Sequence, residues 1–296
     1  VEPKLGKYYL TFLPNTNMSE MRKKEQIYVL KASGQTVPFD SNKVEATCIR
    51  AGASKELAKQ VVKKINGQLR NGMRTREIYK MVLNALAAED ESQVIKHRYR
   101  LKESIMLMGP AGFAFETYVG KIFENYGYDV GAVRSQVNGK CVKHEIDLIA
   151  KSNSTNERYM VECKYHNLPG IYTGLKESLY THARFLDLSE TFDKEMLVCN
   201  TKVSDDVITY AKCVDQKLLC WRYPHDKGLE NMIEEKGLYP ITILGLRAKE
   251  LEILSQNKFM LARDLLAIDI SQLSRKTNIS YARLQRLQNI VKHLMR

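Results

Sequence analysis

The stretch that most constrains how this chain can fold is Lys143–His166, KHEIDLIAKSNSTNERYMVECKYH. An apolar–polar run from His144 to Ala150 is followed by small polar residues from Lys151 to Arg158, then by a second run from Tyr159 to Tyr165. That pattern predicts a β-hairpin. Side chains alternate along a strand, so Glu145 and Asp147 are expected on one face of the first strand. Glu162 and Lys164 share a face of the second, and Ile146, Leu148, Val161 and Cys163 are expected to fill the opposite side.

Neighbouring strands lie about 4.8 Å apart, so carboxylates on one face of adjacent strands can hold a cation between them. Hard divalent ions such as Mg2+ or Mn2+ take carboxylate oxygens and water, and can acidify a water for attack on a phosphodiester. Lys164 would then be the fixed positive charge beside Asp147 and Glu162.

At these residues the chain resembles the PD-(D/E)XK nucleases, the restriction-endonuclease-like superfamily, and within it the Mrr-like branch. The resemblance makes Asp147 and Glu162 metal ligands. It makes Lys164 the group that positions the attacking water or stabilises charge on the phosphate. Ile146 stands where the superfamily name has proline. A second Glu-x-Lys, Glu234 and Lys236, has no strand pattern around it. In the superfamily the helix before the hairpin often adds a carboxylate, and Glu116 is its match here, with an ordinary surface glutamate as the other reading.

A chain of 296 residues exceeds the usual single-domain length, and its 44% hydrophobic content suits globular domains with their own cores. The net charge of +12 points to a polyanionic partner without distinguishing DNA, RNA and anionic membrane. No apolar run approaches the ~18 residues of a membrane span, and no signal segment opens the chain, so a cytoplasmic protein is expected. The six cysteines form no CxxC pair and no zinc spacing, and are expected as reduced, mostly buried thiols.

Residues 1–25 are expected as an arm or linker. From Gln26, the strands Ile27–Lys31 and Thr36–Phe39 flank a Ser33-Gly34 turn, Asp40 or Ser41 can cap a helix, and helical spacing recurs through Ile105. A hairpin covering a four-helix cluster follows. This segment resembles the ATP-cone, a nucleotide-sensing module, through VLKASG with Lys31 and Gly34, FDSNKV with Lys43, and MRTREIYKMV with Thr75 and Ile78. The resemblance implies ATP or dATP as a regulatory ligand. Ala32 replaces the arginine that usually follows the strand-end lysine. No GxxxxGK[ST] loop occurs, so the phosphates fall to Lys31, Lys43 and the basic run Lys96, Arg98, Arg100, Lys102.

Gly109-Pro110-Ala111-Gly112 marks a junction. Beyond it the order predicted for 112–221 is helix, three strands (the first over Tyr128–Val137), helix, strand, helix, strand, with a right-handed parallel crossover at the end. On the helix within Gly170–Asp187, Lys176, Tyr180 and Arg184 recur on one face that could meet phosphates or be a solvated edge. From Leu246 the tail carries ten Lys or Arg against four acids. It looks like a degenerate helix-hairpin-helix with Asn278 at the hairpin glycine, or else a partner-binding cap; its removal is expected to leave the nuclease core folded.

The sequence therefore predicts a multidomain α+β and α/β chain. The divisions are an arm over 1–25, an ATP-cone over 26–108, a restriction-endonuclease-like αβββαβ core over 109–240, and a basic all-α helix-hairpin-helix-like tail over 241–296. The expected function is metal-dependent endonucleolytic hydrolysis of nucleic acid, DNA in preference to RNA, regulated by ATP or dATP. Homo-oligomerisation is open and no membrane role is expected. The alternative is a catalytically inactive nucleotide-sensing regulator that binds nucleic acid or drives oligomerisation.

Overall fold

The structure, a computed structural model, describes residues 26–89, 93–109 and 115–296. The arm expected over 1–25 and most of the junction after Gly109 lie outside these residues. Strands β1 (Tyr28–Leu30) and β2 (Thr36–Pro38) pair antiparallel, with Val29 opposite Val37. Asp40 caps α1 (Ser41–Arg50) by accepting from the Asn42 amide, and Ser54 caps α2 (Lys55–Asn66) by accepting from Leu57. Each such cap contributes about 1 kcal/mol. Ala58, Val61 and Ile65 sit on one face of α2 and are buried against Val29, Cys48, Val82 and Leu86.

The hairpin gains a third strand, β3 (Met73–Arg74), parallel to β1. Two residues are too few for alternation to be visible in sequence. Helix α3 (Thr75–Glu89) follows directly, and the helix expected around 94–105 is broken at Arg100 into α4 (Val94–Tyr99) and α5 (Leu101–Met106).

Helix α6 (Phe115–Asn125) opens the next layer. The continuous strands expected over 128–137 and 144–150 are each broken in two, giving β4 (Tyr128–Val130), β5 (Ser135–Asn138), β6 (Lys143–Ile146) and β7 (Leu148–Ser152). The physical reason for the second break is local. The Cys163 amide donates to the Asp147 carboxylate at 2.8 Å, while the Asp147 carbonyl accepts from Arg134 at 3.0 Å. A side chain therefore takes a ladder position and the backbone bends.

After β8 (Arg158–Lys164) come β9 (Tyr172–Thr173), α7 (Leu175–Asp187), β10 (Lys194–Cys199), β11 (Lys202–Val203), α8 (Asp205–Cys213) and β12 (Lys217–Leu219). The main sheet runs β12-β10-β8-β7-β4, with β8, β10 and β12 parallel and β7 antiparallel to β8. The order of β10, α8 and β12 and the parallel pairing of β10 with β12 are as expected. Chain order and sheet are those of a restriction-endonuclease-like core.

The C-terminal region contains α9 (Leu229–Glu235), a 3-10 turn at Ile241–Leu244, α10 (Ala248–Gln256), a second at Ala262–Ala267, α11 (Ile270–Thr277) and α12 (Tyr281–Leu294). Asn278 takes the left-handed φ of +58° between α11 and α12, so it does stand in for a hairpin glycine. The Arg283 guanidinium forks onto Glu250 at 3.0 Å, tying α12 to α10. This region is not a detachable tail. Leu254, Leu273, Leu287 and Val291 share one buried cluster with Val119, Leu148, Val161 and Leu101. Removing it would expose that core, contrary to the expectation that the nuclease layer folds without it.

Candidate active site at the bend of the central hairpin

Leu148 lies opposite Val161 in the ladder, so Asp147 and Glu162 are adjacent at the end of paired strands. Phe115, in the first turn of α6, is buried and brings Glu116 over the same region. The expected third member of the acidic face, Glu145, is elsewhere: it pairs with Gln136 on β5 and accepts from its amide at 3.2 Å. Ile146 also departs from expectation. It packs with Met160, Leu188 and Phe192, whereas Leu148, Val161 and Cys163 belong to the main core. The bend at Asp147 shifts the strand's phase and separates these two groups.

Burial disfavours the ionised form of both acids, and Asp147 adds to this at Glu162. Burial raises the Asp147 pKa, the negative Glu116 adds to this, and the Cys163 amide, Arg184 and Arg134 oppose it. Burial likewise raises the Glu162 pKa, Asp147 pushes it further, and Arg184 and Lys164 pull it back. A cation placed between two such groups relieves both penalties. Among the described residues no cluster of three or more His, Cys, Asp or Glu side chains forms a closed cage. A hydrated hard ion needs only one or two carboxylates and keeps several waters, so Asp147 and Glu162 fit that group.

Two arginines complete the surroundings. Arg184 reaches from α7 to within 2.6 Å of a Glu162 oxygen, and Arg134 lies 3.4 Å from Glu116. Sequence pattern does not single out either as a partner of these acids, because the contacts join residues 22 and 18 positions apart. Helix α7 is fixed on both sides. Within the molecule His182 and Gln216 hold the buried Glu195 at 2.5 and 2.9 Å. At its end the Asp187 carboxylate accepts from the Cys141 and Val142 amides and from His144. Gly139 is required beside that cap, since a Cβ there would collide with the Asp187 carboxylate.

In the N-terminal layer Leu30 is paired with Arg74, which sets Lys31 beside Thr75 at the ends of parallel strands. Lys31 is exposed and holds Gln35 at 3.2 Å, Gly34 takes a positive φ of +83°, and Lys43 is exposed near Asp40 at 3.6 Å. A cavity of about 330 Å³ is lined by Arg76, Tyr79, Lys80, Lys96, Arg100 and Glu103. Arg76 and Lys80 sit one turn apart on α3, a spacing that sequence could have revealed. Arg98, expected to face the nucleotide, points elsewhere: its guanidinium donates to the Leu294 carbonyl at 3.1 Å, joining α4 to the end of α12.

Of the six cysteines, Cys48, Cys163, Cys199 and Cys220 are buried and Cys141 and Cys213 exposed, all without disulfides. No described helix is long and apolar enough to cross a membrane.

Comparison with known proteins follows this layout. Residues 27–104 match the ATP cone domain, residues 110–220 a restriction endonuclease family, and residues 239–295 the C-terminal region of AF1548-like proteins. An uncharacterised protein of Archaeoglobus fulgidus is 42% identical over 150 residues, which cover 50% of this chain and 84% of that protein. The crystal structure of AF1548, a protein of unknown function, superposes with a TM-score of 0.52 at 38% identity, over 61% of this chain and 96% of that one. Can2 from Sulfobacillus thermosulfidooxidans, solved with cyclic tetra-adenylate, gives a TM-score of 0.29 at 14% identity over 68% of this chain and 64% of its own, and carries no weight here. The chain belongs to the AF1548-like family and joins an ATP-cone to a restriction-endonuclease-like domain.

Proposed function

We propose that this chain is a divalent-metal-dependent endonuclease that hydrolyses phosphodiesters in nucleic acid, DNA in preference to RNA, under control of ATP or dATP bound to its ATP-cone. The observation that carries the reading is the juxtaposition of Asp147 and Glu162, two partly buried carboxylates with raised pKa values on neighbouring strands, with Lys164 next along β8. A protein that only bound a polyanion would gain nothing from buried acids facing it.

In this reading Asp147 and Glu162 hold Mg2+ or Mn2+, which supplies positive charge beside the scissile phosphate and acidifies water when bound. Asp147 is fixed for that task by the Cys163 amide, and its neighbour Arg134 braces it through the backbone. Lys164 orients the attacking water or stabilises charge on the phosphate oxygens. Glu116, held by Arg134, is an accessory carboxylate. The exposed cations of α11 and α12, including Arg275, Lys276, Arg286 and Lys292, supply backbone attraction independent of sequence.

The nucleotide is assigned to Lys31, Gly34, Lys43 and Thr75, together with the Arg76–Lys80–Lys96–Arg100 cavity. Charge-assisted hydrogen bonds from such groups suit a polyphosphate. The test is a cleavage panel of plasmid, single-stranded DNA and RNA in Mg2+ or Mn2+, each with and without ATP and dATP. Metal-dependent cutting that responds to nucleotide is expected. No cutting of any substrate under any condition would leave the inactive-regulator reading in its place.

A further inference from the structure

Arg184 is a strongly held cation at the acid pair, and its coordination is incomplete. One terminal nitrogen donates to Glu162 at 2.6 Å and to the Glu145 carbonyl at 3.1 Å, and the other to the Tyr180 hydroxyl at 3.3 Å. The guanidinium also lies over the Tyr180 ring at 4.8 Å, and Tyr180 itself is 58% exposed at the rim. The remaining donor, Nε, is buried and has no acceptor among the described residues. Unused buried donors are disfavoured in a finished structure, so the present arrangement leaves the guanidinium short of one partner and open to rearrangement.

Arg184 holds one of the two Glu162 oxygens, so a divalent ion at this carboxylate would share it with the guanidinium. A hard divalent ion takes a carboxylate oxygen at about 2.1 Å, and two positive groups on one carboxylate repel each other and divide its charge. Loading the acid pair therefore weakens the hold of Glu162 on Arg184, while Tyr180 and the Glu145 carbonyl still tether it beside the site. A guanidinium's planar fork matches two oxygens of a phosphate, so the anion that enters with the substrate is the natural new partner.

Resting on the metal and nucleic-acid reading above, we propose that Arg184 is a phosphate-binding residue handed from Glu162 to the scissile phosphodiester when the divalent cation binds. Nucleic-acid affinity thereby becomes metal-gated, and without the cation the Arg184 guanidinium stays engaged by Glu162. The solvent-facing stripe of α7 that begins with Lys176 would lead the backbone toward it.

The test uses the full chain carrying Lys164→Ala, so that cleavage is not the readout. Mn2+ binding is followed by loss of the free-ion EPR signal, and affinity for a fluorescein-labelled duplex oligonucleotide by anisotropy in EDTA and in saturating Mn2+. In the parent, Mn2+ is expected to raise duplex affinity about tenfold, and in Arg184→Gln the gain should shrink to about twofold or less. Mn2+ itself should bind Arg184→Gln at least as tightly as the parent, since a competing cation is gone. Arg184→Lys keeps the charge without the fork and should retain part of the gain. It decides the matter if Arg184→Gln does not fold, a gain equal to the parent's then counting against the proposal. A full Mn2+-dependent gain in Arg184→Gln, or loss of its Mn2+ binding, would make Arg184 a structural ion pair and overturn the handover. Mn2+ binding without any gain in the parent overturns the handover alone; no Mn2+ binding in the parent overturns the site reading as well.

Discussion

The hydroxyl of Tyr165 donates to the carbonyl of Met106 at 2.5 Å, joining the residue after Lys164 to the last residue of α5. The same oxygen accepts from the Gly109 amide at 3.1 Å, and the ring packs on Phe115 with centroids 5.7 Å apart. Helix α5 in turn receives Thr242 on its Ser104 carbonyl. The helix at the end of the ATP-cone is thus hydrogen-bonded to the residue that follows the strand carrying Glu162 and Lys164. Coupling between two sites requires an element whose state both can bias, and this contact is a physical candidate for it.

Tyr165→Phe removes that link at a cost of about 0.5–1.5 kcal/mol. Cleavage without nucleotide should persist, while the ratio of rates with and without dATP should move toward one. An undiminished ratio would send the coupling through another route. Gly109→Ala should be more damaging, because a Cβ there would lie 2.7 Å from the Tyr165 ring. Its Tm should fall below that of Tyr165→Phe.

The raised pKa of Asp147 has a consequence for stability. A group whose folded pKa exceeds its unfolded value contributes stability below the unfolded pKa and loses it as pH rises through the folded one. The metal-free protein should therefore be destabilised on going from the ordinary carboxylate range upward through the raised pKa of Asp147, and Asp147→Asn should have the higher Tm in EDTA at neutral pH. Adding Mg2+ or Mn2+ should raise the wild-type Tm and leave Asp147→Asn nearly unmoved. Equal Tm values with and without EDTA for both proteins would count against a cation at this site.

Nucleotide binding should follow the geometry rather than the basic run as a whole. Lys31→Ala and Arg76→Ala should each weaken ATP or dATP binding by about tenfold in calorimetry, each removing one or more charge-assisted bonds. Arg98→Ala should leave affinity unchanged and lower the Tm, because it releases the Leu294 carbonyl. The opposite pattern would move the nucleotide to the α4–α12 contact.

Since the C-terminal helices share the main core, their role is testable by charge rather than by deletion. Replacing Arg275, Lys276, Arg286 and Lys292 together with alanine should keep the fold, because these side chains lie on the outer faces of α11 and α12, and flatten the salt dependence of nucleic-acid binding. For duplex DNA the slope should fall by about 0.9 for each phosphate that is no longer neutralised. An unchanged slope would assign this face to a protein partner.

Much of this was legible from local pattern. Asp147, Glu162 and Lys164 stand out because strand alternation and ladder register are short-range properties. The crossover from β10 to β12 follows from apolar runs separated by a capped helix. What sequence withheld depends on three-dimensional closure. Strand β3 is two residues long, the bend at Asp147 arises from a side chain replacing a backbone acceptor, and Arg184 reads as part of an outward stripe unless α7 is docked by Glu195 and Asp187. Arg98 shows the converse, since a basic run does not reveal which of its members turn inward.

The most direct test of the central claim is the rate at which purified protein nicks supercoiled plasmid in Mg2+, measured side by side for wild type, Asp147→Asn, Glu162→Gln and Lys164→Ala at matched folding. Metal-dependent nicking by the wild type is expected, with each variant slower by about a hundredfold or more, the scale of losing one electrostatic element of a polar active site. Equal rates for all four proteins would contradict the account by placing the chemistry outside this pair of strands.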